Sequence, residues 1–206
     1  MHMPKKSLQK SPDDTFIFQP SASLSARYHK DLDSLIKVVE ELRKKNLKIV
    51  MTQGVFDLIH EGHARYLEIA KSYGDVLIVA VDSDKLTKVR KGDSRPVVPE
   101  DERIEMLTHL RHVDVVVKQD IKYGKGELIR LIKPDVLITS SSTKDFTESM
   151  VTAYGPYCKE IITLPPQAIS STSARIRRLT MEGAEKLAEE VNQLTHEFIE
   201  KIRNTA

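Results

Sequence analysis

An α/β fold with a doubly wound, five-stranded parallel sheet is predicted by three features of this 206-residue sequence. Short, nearly unbroken apolar runs recur along the chain, as strands buried on both faces require. Segments with helical periodicity lie between them, so strand and helix alternate. Gly, Pro and polar clusters punctuate the joins.

The elements follow in order. Residues 1–28 hold Lys5, Lys6 and Lys10, three prolines and several serines, and read as a flexible arm with Phe16-Ile17-Phe18 as its apolar exception. Residues 31–45 place Leu32, Leu35, Ile36, Val39 and Leu42 on one helical face, with Asn46 as the stop. Residues 47–52 form the first strand. A helix over 61–73 ends before Gly74. The second strand, 75–81, is almost wholly apolar, and Asp82-Ser83-Asp84 stands at its C-terminal end, the edge where open α/β sheets bind ligands. Lys88 to Ser94 reads as a charged mobile loop, and 95–99 as extended chain. Pro99 opens a helix to about Leu110, with Glu100, Asp101 and Glu102 in its first turn, as the helix dipole favours.

Val113 to Val117 is the third strand. A helix over 125–132 is closed by Pro134. Val136-Leu137-Ile138 is the fourth strand, and Ser140 to Lys144 a polar loop after it. A helix near 146–154 precedes the fifth strand, 161–164, which Pro165-Pro166 stops. Residues 169–177 read as loop into helix. Ala184, Leu187, Val191, Leu194, Phe198 and Ile202 then mark a long amphipathic helix. Their spacing of about 3.5 residues suits folding back on the core or pairing with a second copy. The chain is thus expected as an arm (1–28), a sheet domain (29–180) with a lead-in helix, and a C-terminal helical extension (181–206).

Bulk properties narrow the function. The formal net charge is +2, so no whole-chain field points to nucleic acid. Cys158 is the single cysteine, which excludes an intrachain disulfide and fits a reducing compartment. No apolar run approaches the roughly 18 residues of a membrane span, and the first residues are polar, so no membrane association or secretory signal is expected and the cytoplasm is the expected location.

The chemistry concentrates in Gly54-Val55-Phe56-Asp57-Leu58-Ile59-His60-Glu61-Gly62-His63, between strand and helix. A spacing of three puts both imidazoles on one side of the first helical turn. A helix start offers unpaired N–H groups and positive dipole, and Gly54 and Gly62 lack the Cβ that would hold an anion off. This is a site for a polyphosphate with imidazoles as added donors. Ser170, Ser171 and Thr172 bring hydroxyls and backbone N–H to a second helix start, with the same physics or a plain N-cap. Lys91 and Arg95 flank the charged loop, Lys144 closes the polar one, and Arg175 follows the second helix start. His2, His29, His109, His112 and His196 have no partnered spacing and read as surface or core residues.

The pattern Gly-x-Phe-Asp-x-x-His-x-Gly-His closely resembles the signature of the cytidylyltransferase-like nucleotidyltransferases, whose fold is Rossmann-like. The resemblance runs from about Leu32 to Leu179. It is strongest to heptose 1-phosphate adenylyltransferases, in Tyr66-Leu67-Glu68, Lys91-Gly92, Arg95-Pro96, Glu102-Arg103, Leu131 to Ile138 and the Ser/Thr-rich turn. Glycerol-3-phosphate cytidylyltransferases look similar but have an arginine where Pro165-Pro166-Gln167-Ala168 stands here. The heptose group's Gly-Gly-Asp-aromatic-Lys loop reads Ser140-Ser141-Ser142-Thr143-Lys144, matching only at Lys144.

The resemblance implies transfer of a nucleoside monophosphate from an NTP, ATP or CTP, to a phosphorylated small molecule, a sugar or polyol phosphate, with release of pyrophosphate. It implies catalytic roles for His60, His63, Lys91 and Lys144. It places Thr52, Gly54, Phe56, Asp57, Gly62, Arg95, Ser170, Ser171, Thr172 and Arg175 on the nucleotide side. Within that set Phe56 is read as packing, and Asp57 as orienting the turn, touching ligand or approaching a metal. Mg²⁺ is expected with the NTP, held mostly by phosphate oxygens and water; the sequence has no dedicated metal cluster. A homo-oligomer is expected. A nucleotide-binding regulator with an altered acceptor site is the alternative that the Ser140 to Thr143 loop suggests.

Overall fold

All five apolar runs become strands, and a sixth strand joins them at an edge. The computed structural model describes residues 24–124, 126–141, 148–167 and 172–205. Its elements are α1 (Leu24–Arg27), β1 (Tyr28–His29), α2 (Leu32–Lys44), β2 (Ile49–Gly54), α3 (Glu61–Lys71), β3 (Val76–Asp82), α4 (Asp84–Lys91) and α5 (Glu100–Thr108). There follow β4 (Val115–Gln119), α6 (Glu127–Ile132), β5 (Val136–Ser140), α7 (Glu148–Tyr154), β6 (Glu160–Leu164) and α8 (Thr172–Thr205). The Phe16-Ile17-Phe18 cluster lies outside the described residues.

The strand order is β1-β4-β3-β2-β5-β6, and every pairing is parallel. From β2 the chain moves outward through β3 to β4, then crosses back to β5 on the other side of β2. The reversal leaves a crevice at the C-terminal ends of β2 and β5, the usual ligand site of an open sheet. The motif leaves β2 at that point.

Alternation along the strands divides the interior into two layers. Ile49, Met51, Ile78, Ala80, Val115, Val117 and Leu137 meet Leu35, Val39 and Leu42 of α2 on one face. Val50, Leu77, Val79, Val81, Val116 and Ile138 meet Leu67 and Ala70 of α3 and Ile104 and Leu107 of α5 on the other. Asp31 caps α2, accepting the Ser34 N–H at 2.8 Å.

At the opposite, N-terminal edge of the sheet, Asp135 ties three strands together. It accepts the Ile49 N–H at 2.8 Å, pairs with Lys159 at 2.8 Å and with Arg43, and its backbone serves Ile49 and Glu160. Arg43, Lys48 and Lys159 line a cavity of about 570 Å³ there with Asp135 and Glu160. Burial raises the Asp135 carboxyl, but the bonds from Lys159, Ile49 and Arg43 outweigh it and hold it at about 2. A carboxyl depressed on folding stabilises the fold above its unfolded value of about 3.9, and that stabilisation is lost as pH falls toward the folded value. Wild type is therefore expected to lose about 2 kcal/mol over this window that Asp135→Asn does not lose. Urea unfolding at stepped acid pH measures it, and parallel pH slopes for the two proteins would sink the assignment.

Three expectations are corrected. The sheet has six strands: β1 is two residues long, within and beside the segment read as arm, and pairs Tyr28 with Val116 and His29 with Val117. The segment read as a charged loop is largely helix. Ser83 accepts the Leu86 N–H at 3.2 Å and starts α4, which runs through Lys91 and stops at Gly92, whose φ is 91°. The two helical stretches read near the C-terminus are one 34-residue helix, α8. The chain divides into two compact units between Gln167 and Ala168, so α8 stands as a unit by itself, with Leu179, Leu187, Val191 and Leu194 exposed.

Candidate active site

After Gly54 the backbone takes an uncommon path. Phe56 and Leu58 have φ of 53° and 47°, in the left-handed region that non-glycine residues rarely enter. A Cβ on Gly54 would stand 3.3 Å from the Phe56 ring, so the missing side chain makes room for that ring. Phe56 is buried in the same layer as Leu67 and Ala70, which agrees with its reading as packing.

Two buried charges hold the turn. Asp57 accepts the N–H groups of Val97 at 3.0 Å and Val98 at 2.9 Å, and Arg95 stands 3.1 Å from its Oδ2. Of the three roles open to Asp57, the bonding here is that of orienting the turn and anchoring Arg95. Arg103, 1% exposed, donates to the carbonyls of Val55, Val98 (2.9 Å) and Asp82 (2.9 Å) and to the Asp84 carboxylate (2.7 Å). One guanidinium thus joins the end of β3, the start of α4, the motif turn and the segment before α5. Its five fixed donors suit that task.

The two histidines form the cap of α3. His60 is the N-cap residue, and its Nδ1 accepts the Gly62 N–H at 3.1 Å. His63 Nδ1 lies 3.4 Å from the His60 nitrogen and accepts its N–H. This reciprocal box is ordinarily built from Ser or Thr and Glu. The ring centroids are 4.1 Å apart, and Phe56 lies 5.7 Å from His63. A nitrogen that accepts a hydrogen bond carries no proton, so in the neutral form each imidazole carries its proton on Nε2. The backbone N–H groups of His60 and Gly62 are engaged by the imidazoles. Those two amides are thus taken up within the cap, and a bond accepted at one ring nitrogen polarises the N–H at the other.

Thr52 is fully buried. Its hydroxyl lies 2.7 Å from the Tyr66 hydroxyl, which donates to the Ile138 carbonyl at 3.3 Å. The Tyr66 phenol, pushed up to about 12 by burial, stays protonated and ties β2, α3 and β5 together under the crevice.

At the end of β3, Asp82 pairs with Arg90 of α4 at 2.6 Å. Burial raises its carboxyl against the pull of Arg90, Lys91 and Arg103. Lys91, exposed at the end of α4, thus lies within electrostatic reach of that carboxylate.

The structure brings His60, Gly62, His63, Phe56, Asp57 and Arg95 together around the turn. Lys144, Ser170 and Ser171 lie outside the described residues. Thr172 begins α8 and Arg175 is exposed on it; both belong to the second unit. Sequence reasoning placed Asp82 only at the ligand-binding edge of the sheet and Arg103 only within the family resemblance, and gave neither a bonding partner. Arg103 follows three acids at a helix start and has the pattern of a solvated residue. Among the described residues no three His, Cys, Asp or Glu side chains group as metal ligands. Asp57 has both oxygens engaged. A Mg²⁺ brought by an NTP would therefore rest mainly on phosphate oxygens and water.

A parallel sheet with a crevice at its strand-order reversal, and a helix start capped there by two imidazoles, defines a Rossmann-like domain of the nucleotide-binding class. The cytidylyltransferase-like model matches residues 51–178, and the chain belongs to that family of nucleotidyltransferases. It is 39% identical over 142 residues to the bifunctional protein HldE of Nitratiruptor sp., covering 68% of this chain and 28% of that one. It is 46% identical over 119 residues to HldE of Campylobacter jejuni subsp. doylei, covering 56% and 26%. The chain thus spans little more than a quarter of these relatives. A lipopolysaccharide core biosynthesis protein from Thermoplasma volcanium has a similar structure, with a TM-score of 0.52 and 26% identity, covering 58% of this chain and 98% of that one. Pantoate–β-alanine ligase from Francisella tularensis shares the fold, with a TM-score of 0.51 and 19% identity over 68% of this chain and 66% of that one.

Proposed function

We propose that this chain transfers a nucleoside monophosphate from ATP or CTP to a sugar or polyol phosphate in the cytoplasm. An oxygen of the acceptor phosphate attacks the α-phosphorus in line. The new P–O bond forms as the bond to the β-phosphate oxygen breaks, and pyrophosphate departs with that electron pair. A phosphate monoester is ionised at neutral pH, so no base is required. The protein positions two anions and neutralises developing charge. His60 and His63 donate from Nε2 to the α- and β-phosphate oxygens, and Lys91 and Arg95 supply positive charge beside them. Lys144, Ser170, Ser171, Thr172 and Arg175 take the roles the family resemblance gives them. Mg²⁺ accompanies the NTP, carried by its phosphate oxygens, and supplies further charge neutralisation.

The observation that carries the reading is the imidazole-capped start of α3 at the sheet's reversal point. Pyrophosphate release tests it, with ATP and CTP each paired with heptose 1-phosphate and glycerol 3-phosphate. Turnover of one pair is expected. Nucleotide binding without turnover of any pair would favour the regulator suggested by Ser140 to Thr143.

Assembly belongs to the same proposal. Leu187, Val191 and Leu194 recur at steps of four and three along exposed α8, the seam spacing of a helix that pairs with a second copy. Leu187→Glu in the full chain is expected to lower the mass seen by light scattering. An unchanged mass would remove this role from α8.

A further inference from the structure

The C-terminal edge of the sheet carries a second set of polar groups that the motif does not use. Alternation puts Gln53, Asp82 and Gln119 on the sheet face that also carries Met51, Ala80 and Val117. This is the face opposite α3. Asp82 pairs directly with Gln119 across β3 and β4, and Gln53 pairs with Ala80 across β2 and β3. The three side chains therefore neighbour one another at the strand ends.

Each presents a buried oxygen without a donor. Asp82 Oδ1, Gln53 Oε1 and Gln119 Oε1 have no hydrogen-bond partner, and neither does Thr87 Oγ1. Asp82 is 1% exposed, Gln119 6% and Thr87 fully buried. Thr87 stands on α4 three and four residues before Arg90 and Lys91, so all three share a face of that helix. Arg90 turns that face to Asp82 by its 2.6 Å bond to Oδ2. Buried oxygens of this kind are nearly always satisfied in a working protein, by protein, water or ligand. The matching chemistry is a molecule with several hydroxyl donors and an anionic group, the hydroxyls at the oxygens and the anion toward Lys91.

We propose that Asp82, with Gln119, Gln53 and Thr87, binds the hydroxyl groups of the acceptor and so selects a polyhydroxylated phosphate over a plain alkyl phosphate. This rests on the nucleotidyl-transfer reading above and names its acceptor side. Sheet order supports the assignment: β3 and β4 lie on one side of the motif strand and β5 and β6 on the other, so this cluster faces one flank of the transfer site only. Asp82 Oδ1 accepts a hydrogen bond from an acceptor hydroxyl while Oδ2 stays with Arg90. The nucleotide's ribose is the other source of paired hydroxyls, and the kinetics separate the two.

The test uses the full chain and whichever of heptose 1-phosphate and glycerol 3-phosphate wild type turns over faster. Asp82→Asn keeps the shape but replaces an acceptor oxygen by a donor. It is expected to raise the acceptor KM at least tenfold and leave the nucleotide KM within twofold. Gln119→Leu, which leaves the Arg90 pair intact, is expected to raise the acceptor KM several-fold with the nucleotide KM likewise unchanged. It decides the matter if Asp82→Asn fails to melt cooperatively. An acceptor KM within twofold of wild type in the folded variants overturns the proposal, as does a rise confined to the nucleotide KM, which would give the cluster to the ribose. Wild type that turns over neither acceptor fails one step earlier, and both readings fall together.

Discussion

His63→Ala is expected to lower kcat by about 10² to 10³ while changing nucleotide affinity by less than about threefold, as removal of a preorganised transition-state donor does. The asymmetry follows from where charge grows. In the ground state the triphosphate is bound by several groups, and one imidazole adds little. As the α–β bridge breaks, charge builds on the departing oxygens, and the Nε2–H donor matters most there. His63 also accepts the His60 N–H and packs beside Phe56, so the variant loses part of the cap as well. That costs about 1 kcal/mol by the usual value of a cap, which melting reads separately. Single-turnover rates and equilibrium titration of a non-hydrolysable ATP analogue separate chemistry from binding. Equal losses in both would remove the transition-state role.

Arg103→Met is expected to destabilise the fold by about 3–5 kcal/mol, the range for removing one partner of a buried charged network. The substitution strands three backbone carbonyls, at Val55, Val98 and Asp82, and leaves Asp84 without its guanidinium. Arg103→Lys does not restore them, because an ammonium is a single point of three donors and cannot span four acceptors. Urea unfolding with coincident fluorescence and circular dichroism transitions measures the change. A loss below about 1 kcal/mol would show that water replaces the guanidinium. Variants retaining enough fold to assay are expected to lose nucleotide affinity too, since the same side chain fixes the Val55 carbonyl at the motif turn.

The strands were legible because parallel strands buried on both faces must be apolar throughout, and β3 is apolar from Val76 to Val81. β1 was not, since two residues carry no periodicity and Tyr28-His29 gains its strand character only by pairing with Val116 and Val117. α4 was obscured by composition: Lys85, Lys88, Arg90 and Lys91 look like a solvated loop until Thr87 is seen buried beneath them. At the site, the spacing of His60 and His63 announced an anion-binding helix start, but the use of both Nδ1 atoms by the backbone depends on ring orientation. Asp57 illustrates the same boundary. Its position in the motif is a local fact, whereas its two bonds reach Val97 and Val98, some forty residues along. Arg103 was hidden because an arginine beside three acids has the pattern of a surface residue, and only tertiary packing makes it the tie between β3, α4 and the turn.

The reciprocal cap on α3 has a consequence for heat. The imidazoles proposed to face the nucleotide are held by the most labile part of any helix, its first turn. When that turn frays, His60 and His63 lose their orientation together, while the sheet beneath, tied by Arg103 and Asp135, remains intact. Local opening of these few residues is therefore expected to inactivate the protein below the temperature at which it melts globally, and turnover followed against thermal unfolding measures the gap.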